Sequence, residues 1–189
     1  MIAVITSQTK RQYLRRPTPP YVFNKDCSQA QGLRAFWPLG EPLATLYYDY
    51  VRTAGSFKLT EIGTMDRSHG PDGEGIAASN TGGLNALSSS SVPAATVPYS
   101  KACWVYPTNE AAMTFMLTGD ATTSDYYALA ANLAVAGTII ATSKGGQTAR
   151  TATTTTTYER NTWNHACGVW TSSSNRRVFL NAGGAVTNT

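Results

Sequence analysis

Acidic residues are scarce in this chain, and those present are scattered. Only 11 Asp and Glu occur among 189 residues, and charged residues of both signs make up 14%. Hydrolysis of a glycan needs two carboxylates facing one bond, one of them with a raised pKa. No strand-like stretch carries such a pair. Asp66, Asp72 and Glu74 fall in or beside a glycine-rich loop, and Asp120 and Asp125 flank a turn. The two histidines, His69 and His165, come with no CxxC or HxxxH spacing, so a transition-metal set is missing. No serine sits in a nucleophile elbow, and Gly73-x-Gly75 lacks the strand–helix setting of a phosphate loop. A non-enzyme is expected.

Long apolar runs are missing as well. No stretch approaches the ~18 apolar residues of a membrane helix, so no membrane partner is expected. Ile2 to Ile5 is too short for the hydrophobic region of a secretory signal, and the polar Gln8 and Lys10 come directly after it. Cysteine is limited to Cys27, Cys103 and Cys167. A Cys103–Cys167 disulfide is conceivable, but reduced buried thiols are preferred, because both lie in strand-like stretches where a small apolar residue would serve. Such usage suits assembly in a reducing cytoplasm.

Thr, Ser, Ala and Gly are abundant and punctuate short apolar runs. That balance favours an all-β fold with many turns. The net charge of +4 is unevenly placed: Lys10, Arg11, Arg15, Arg16 and Lys25 all precede the first acid, Asp26. The remainder of the chain therefore carries a net −1, and the basic character belongs to a leading arm, residues 1–31. Pro17, Pro19 and Pro20 make Arg16 to Tyr21 extended. An arm with so little apolar surface cannot fold alone, so it is expected to lie on its own body or on a neighbouring subunit.

Asn161 to Gly184 reads as an antiparallel hairpin. Trp163, His165, Cys167 and Val169 alternate with Ala166, Gly168 and Trp170, as strand side chains must. Thr171 to Asn175 is a polar turn, and Arg177 to Leu180 forms the return strand. Further strands are expected at Gly32–Leu39, Phe57–Ile62, Ile76–Ala78, Gly83–Leu87, Tyr99–Pro107, Ala111–Thr118, Tyr126–Ala131, Leu133–Ala136 and Thr138–Thr142. Thr148 to Tyr158 should be an exposed strand that adds little core. Glu41 to Ser56, with Leu43, Leu46, Tyr47, Tyr50 and Val51 at helical spacing, is expected as a short helix or irregular insert. Met65 to Gly75 is expected to be turn.

Three ordered motifs carry a resemblance. Trp163-x-His165 running to Trp170 and Arg177-Val178-Phe179-Leu180-Asn181, Gly32 to Leu39, and Tyr99 to Thr108 are similar to the strands of laminin-G-like domains. The resemblance implies an antiparallel jelly-roll sandwich, concanavalin A-like, over residues 32–189. In that family His165 is a packing or hydrogen-bonding residue, and further strands normally come after the hairpin. The few residues after Gly184 are expected to be too short for them, leaving the arm, an abbreviated fold or a longer gene product to account for the edge. Some family members bind Ca²⁺ at the rim, which needs six to eight oxygens. Only Asp120 and Asp125 offer carboxylates there, so no cofactor is expected.

Laminin-G-like domains behind a short basic arm also resemble virion proteins of tailed bacteriophages. The expected function is a non-catalytic capsid decoration or cement subunit, assembled in the host cytoplasm, located in the virion and forming a homo-oligomer. Lys10, Arg11, Arg15, Arg16, Pro17 and Tyr21 would grip the major capsid protein or other virion subunits. Nucleic acid is not expected, since only Tyr13 is interleaved for stacking. The alternative is a carbohydrate-binding module or adhesin, with Tyr126, Tyr127 and Trp170 stacking on a glycan.

Overall fold

The structure, a computed structural model, describes residues 46–47, 59–70, 76–79, 85–89, 97–119, 125–145 and 148–188. The expected arm, the Gly32–Leu39 strand and most of the Glu41–Ser56 insert lie outside them. The chain divides into two compact units between residues 93 and 94. Every described element is a strand, every pairing is antiparallel, and the fold class is all-β.

The first unit contributes two small sheets. Strands β1 (Leu46–Tyr47), β2 (Leu59–Ile62) and β5 (Ala86–Ser88) pair in the order β1-β2-β5, and β3 (Asp66–His69) pairs with β4 (Ile76–Ser79). Two expectations are corrected here. Leu46–Tyr47 is not helical but extended against Leu59 and Thr60, because local spacing yields to a partner strand. Met65 to Gly75 is not all turn, since Asp66 to His69 pairs residue by residue with Ile76 to Ser79.

The second unit holds the jelly-roll layers. One four-stranded sheet runs β10 (Thr148–Thr153), β9 (Ile139–Gly145), β8 (Tyr126–Ala131) and β7 (Thr114–Gly119). The other runs β13 (Gly183–Asn188), β12 (Arg176–Leu180), β11 (Asn164–Trp170) and β6 (Tyr99–Val105). The chain crosses from β6 to the first sheet, meanders through β7 to β10, and crosses back to finish in β11 to β13. Between the layers lie Cys103, Val105, Phe115, Leu129, Ile139, Ala141, Ala152, Ala166, Trp170, Val178 and Leu180, all buried. Each large one contributes roughly 1.5–3 kcal/mol of apolar burial.

The inner face of β11 is the small-residue face, Ala166 and Gly168, closed by Trp170. Gly168 is there because the Trp170 ring folds back over it. A Cβ built on Gly168 would stand 2.7 Å from Trp170 Cη2 and 3.3 Å from Ala141 Cβ. His165, Cys167 and Val169 point outward and are half-buried. Cys103 faces inward opposite Ala166 while Cys167 faces outward opposite Ala102, so the two thiols lie on opposite faces of the sheet and stay unpaired.

Three further expectations are corrected in this unit. Leu133 to Ala136 is a connection rather than a strand: the Asn132 side chain accepts the Ala134 amide at 3.0 Å, and the Val135 carbonyl accepts the Thr138 amide at 3.2 Å. Thr148 to Tyr158 is strand only to Thr153, and it does feed the core through Ala152 and Tyr158. The hairpin is followed by a third strand, β13, reached through a two-residue turn in which Asn181 and Ala182 take φ of 50° and 63°. That is the left-handed turn whose twist matches paired strands. The Asn181 side chain accepts the His165 amide at 2.8 Å and donates to buried Asn164 at 3.1 Å, tying this turn to β11.

Replacing Gly168 with Ala is expected to destabilise the domain by about 1–3 kcal/mol through overpacking, against the usual small gain of removing a strand glycine. Urea unfolding measures it; an unchanged midpoint would contradict the packing described.

Candidate functional site

Strand alternation lays three rows of side chains across the outward face of the β7–β10 sheet. Gly119, Tyr126, Lys144 and Ala149 align in one row; Leu117, Ala128, Thr142 and Thr151 in the next; Thr114, Ala130, Ile140 and Thr153 in the third. Small residues occupy the middle, and larger ones stand around them. The result is an open depression of ≈ 290 Å³ lined by Thr114, Leu117, Tyr126, Ala128, Ala130, Ile140 and Thr142. Leu117 is 39% exposed, a large apolar side chain left facing solvent on a wall of the groove.

A register shift between Thr114 and Met116 shapes this wall. The extra residue sends Phe115 into the core and leaves Thr114 and Leu117, three positions apart, on the same outward face. On the floor the Thr142 and Thr151 hydroxyls share a 3.0 Å hydrogen bond. Lys144 Nζ lies 6.0 Å from the centre of the Tyr126 ring. The groove thus offers one aromatic ring, an ammonium, aliphatic edges and threonine hydroxyls. Its lining holds no carboxylate and no histidine, so it has no side chain suited to proton transfer at neutral pH.

Of the three residues expected to stack on a glycan, only Tyr126 reaches this face. Its neighbour Tyr127 points to the opposite side of the strand and packs against the core. Trp170 is corrected outright: its exposure is 0%, and its ring stacks on Tyr99 at 5.1 Å and 12° inside the sandwich. The alternation of β11 was legible, but which of its faces turned inward was not. Leu117, Ile140, Thr142 and Lys144 were missed for the same reason. The arm residues Lys10, Arg11, Arg15, Arg16, Pro17 and Tyr21 lie outside the described residues, as do Asp72, Glu74 and Asp120. Among the described residues no three His, Cys, Asp or Glu side chains cluster as a metal site would require.

The outward face of the other sheet is aromatic too. Trp104 lies 5.2 Å from His165, and Tyr106 lies 5.5 Å from Trp163, centre to centre. His165 is thus a packing residue, and burial lowers its pKa.

Inside the sandwich, Lys101 sits on the inner face of β6 at 8% exposure. Its Nζ donates to the Tyr127 carbonyl at 2.7 Å and lies 5.6 Å from the centre of the Trp170 ring and 6.0 Å from that of Tyr99. Burial pushes its pKa down to about 7. Burial, with a smaller effect of Cys167, pushes the Cys103 thiol up to about 12, and burial also raises the Tyr99 phenol.

These shifts fix the pH dependence of stability. Between the folded value of about 7 for Lys101 and the unfolded value of about 10.4, only the unfolded chain holds the lysine proton. Stability therefore rises with pH there, by at most about 1.4 kcal/mol per unit. Above about pH 8.5 the Cys103 thiol, and above about pH 10 the Tyr99 phenol, keep protons that the unfolded chain releases, which opposes the rise. The rise from His165 is confined below about pH 6.5. The urea midpoint should climb between about pH 7 and 8.5 and then flatten, and Lys101→Met should abolish the climb. A flat wild-type profile over that window would count against a buried lysine.

Residues 79–189 match a laminin G family model described as the concanavalin A-like lectin/glucanases superfamily. No curated protein and no solved structure matches the chain. The matched span covers more than half of the chain and includes both four-stranded sheets, and the chain belongs to the concanavalin A-like lectin/glucanase superfamily.

Proposed function

We propose that the second unit is a non-catalytic carbohydrate-binding module whose site is the groove beside Tyr126. The carrying observation is a tyrosine ring set on the outward sheet face, next to Leu117 and over a floor of alanines and threonines with no acid among the lining residues. A pyranose presents C–H groups on one face and hydroxyls around its rim. The ring and Leu117 fit the former, while the Thr142 and Thr114 hydroxyls and Lys144 fit the latter. Binding without bond cleavage follows from the lack of a facing acid pair in that lining.

A second reading rests on a different observation, the five positive charges before Asp26. A body that binds at one face and an arm that straps a neighbour would suit a structural subunit of a virion, a capsid decoration or cement protein. Its weak contacts with the major capsid protein would be multiplied over a lattice, and a homo-oligomer would multiply them again.

One pair of variants separates the readings. Under the first, Tyr126→Ala loses at least about tenfold in glycan affinity, worth about 1.4 kcal/mol, on an array confirmed by calorimetry, with an unchanged melting temperature. Removing residues 1–25 leaves that affinity intact. Binding that survives Tyr126→Ala would sink the groove as the site. Loss of particle attachment on removing the arm, with glycan affinity absent throughout, would establish the second reading in its place.

A further inference from the structure

One end of the sandwich interior is cationic and rich in donors without acceptors. Tyr99, Trp170 and Arg176 are register partners across β6, β11 and β12. Facing them, Tyr127, Ser143 and Arg150 are register partners across β8, β9 and β10. The alternation that buries Ala152 puts Arg150 on the inward side of its strand, at the exposed margin. The Arg176 side chain is fully buried, at 0% exposure. Its Nη2 donates to the Ser173 carbonyl at 3.0 Å, and Ser143 Oγ reaches the same oxygen at 3.5 Å. Its Nε and Nη1 have no hydrogen-bond partner, nor do Tyr99 Oη and Trp170 Nε1 in the same row.

Buried donors left unmade are costly, and a buried guanidinium without a counter-charge is more so. Arginine cannot relieve this by losing its proton. Lys101, the other buried cation, can, and its Nζ is already committed to the Tyr127 carbonyl. No carboxylate hydrogen-bonds Arg176, and the described ion pair, Arg160 with Glu110, is elsewhere and exposed. The Arg150 charge, after burial, is what most disfavours the Arg176 cation, so the two guanidinium groups are close enough to share one anion. The fork of Nε and Nη1 is the edge that grips two oxygens of a phosphate, sulfate or carboxylate side by side.

We propose that this end of the sandwich is a binding site for a compact oxyanion, held by Arg176 from within and Arg150 at the mouth, with the Ser143 hydroxyl beside them. The site stands apart from the Tyr126 groove, on the opposite face of the same sheet, and does not depend on that groove binding a sugar. The oxyanion is either a free ion such as phosphate or the acidic group of a larger molecule such as a uronic acid.

The test is thermal unfolding of the full chain with inorganic phosphate or glucuronate, each against sodium chloride at matched ionic strength. Phosphate should raise the melting temperature saturably, by roughly 3–6 °C at tenfold above half-saturation. Arg150→Ala should remove the rise, and Arg177→Ala, on the outward face, should keep it. The same rise with glucuronate identifies the acidic group of a sugar as a ligand; a rise with phosphate alone identifies the free ion. A second readout needs no variant: the Arg176 Nε–H resonance should shift with the same half-saturation. A rise no larger than that in chloride, or one that persists in Arg150→Ala, or an unmoved Arg176 resonance, would overturn the proposal.

Discussion

The packing of Trp170 across Gly168 is the contact on which the rest of the second unit depends. A side chain of that size can lie flat between two sheets only where its own strand leaves room two residues earlier, and a glycine supplies it. Once the ring is in place, the parity of β11 is settled: Ala166 and Gly168 face inward, His165, Cys167 and Val169 outward. Register then carries that parity to β6 and β12, placing Tyr99 and Arg176 in the row of Trp170. A one-residue slip would exchange every one of these faces, so a single ring fixes which chemistry is inside and which is out.

The consequence for function is a division of labour between the faces of one sheet. In β8, Tyr127 joins the aromatic packing around Trp170, and its neighbour Tyr126 is thereby committed to the outward groove. In β9, Ser143 faces the Arg176 end of the interior while Thr142 and Lys144 face the groove. The outward face is mild, with a ring, alkyl edges and hydroxyls. The inward end is charged and short of acceptors. An assembly of this kind can hold a ligand at its surface without reacting with it, while its interior polarity sets how stability answers to pH and anions.

Much of the fold was legible in the sequence because alternation and turn chemistry are local. The run from Asn164 to Trp170 and the polar stretch Thr171 to Asn175 could be read directly, and the strands at Tyr99 and Tyr126 likewise. Features that depend on a partner escaped. Leu46–Tyr47 and Asp66–His69 become strands through pairing rather than propensity. Leu133 to Ala136 looked like strand, but the Asn132 side chain captures the Ala134 amide and starts a turn. The strand after Asn181 was overlooked because its turn uses Ala182 in a left-handed conformation, which sequence rules reserve for glycine. The site was read least well. Aromaticity picked out Tyr126, Tyr127 and Trp170 together, yet only burial distinguishes a ring offered to ligand from a ring that closes the core. The groove wall depends on a strand irregularity at Thr114 to Met116 that no local pattern announces.

The central claim is that Trp170 lies inside, over Gly168, and it can be observed without perturbing the protein. Protons held against an indole face are shifted upfield by its ring current. In the proton NMR spectrum of the folded chain the Gly168 Hα pair should lie well upfield of its random-coil position and show cross-relaxation to Trp170 ring protons and the Ala141 methyl. Gly168 resonances at random-coil positions, with no such cross-relaxation, would contradict it.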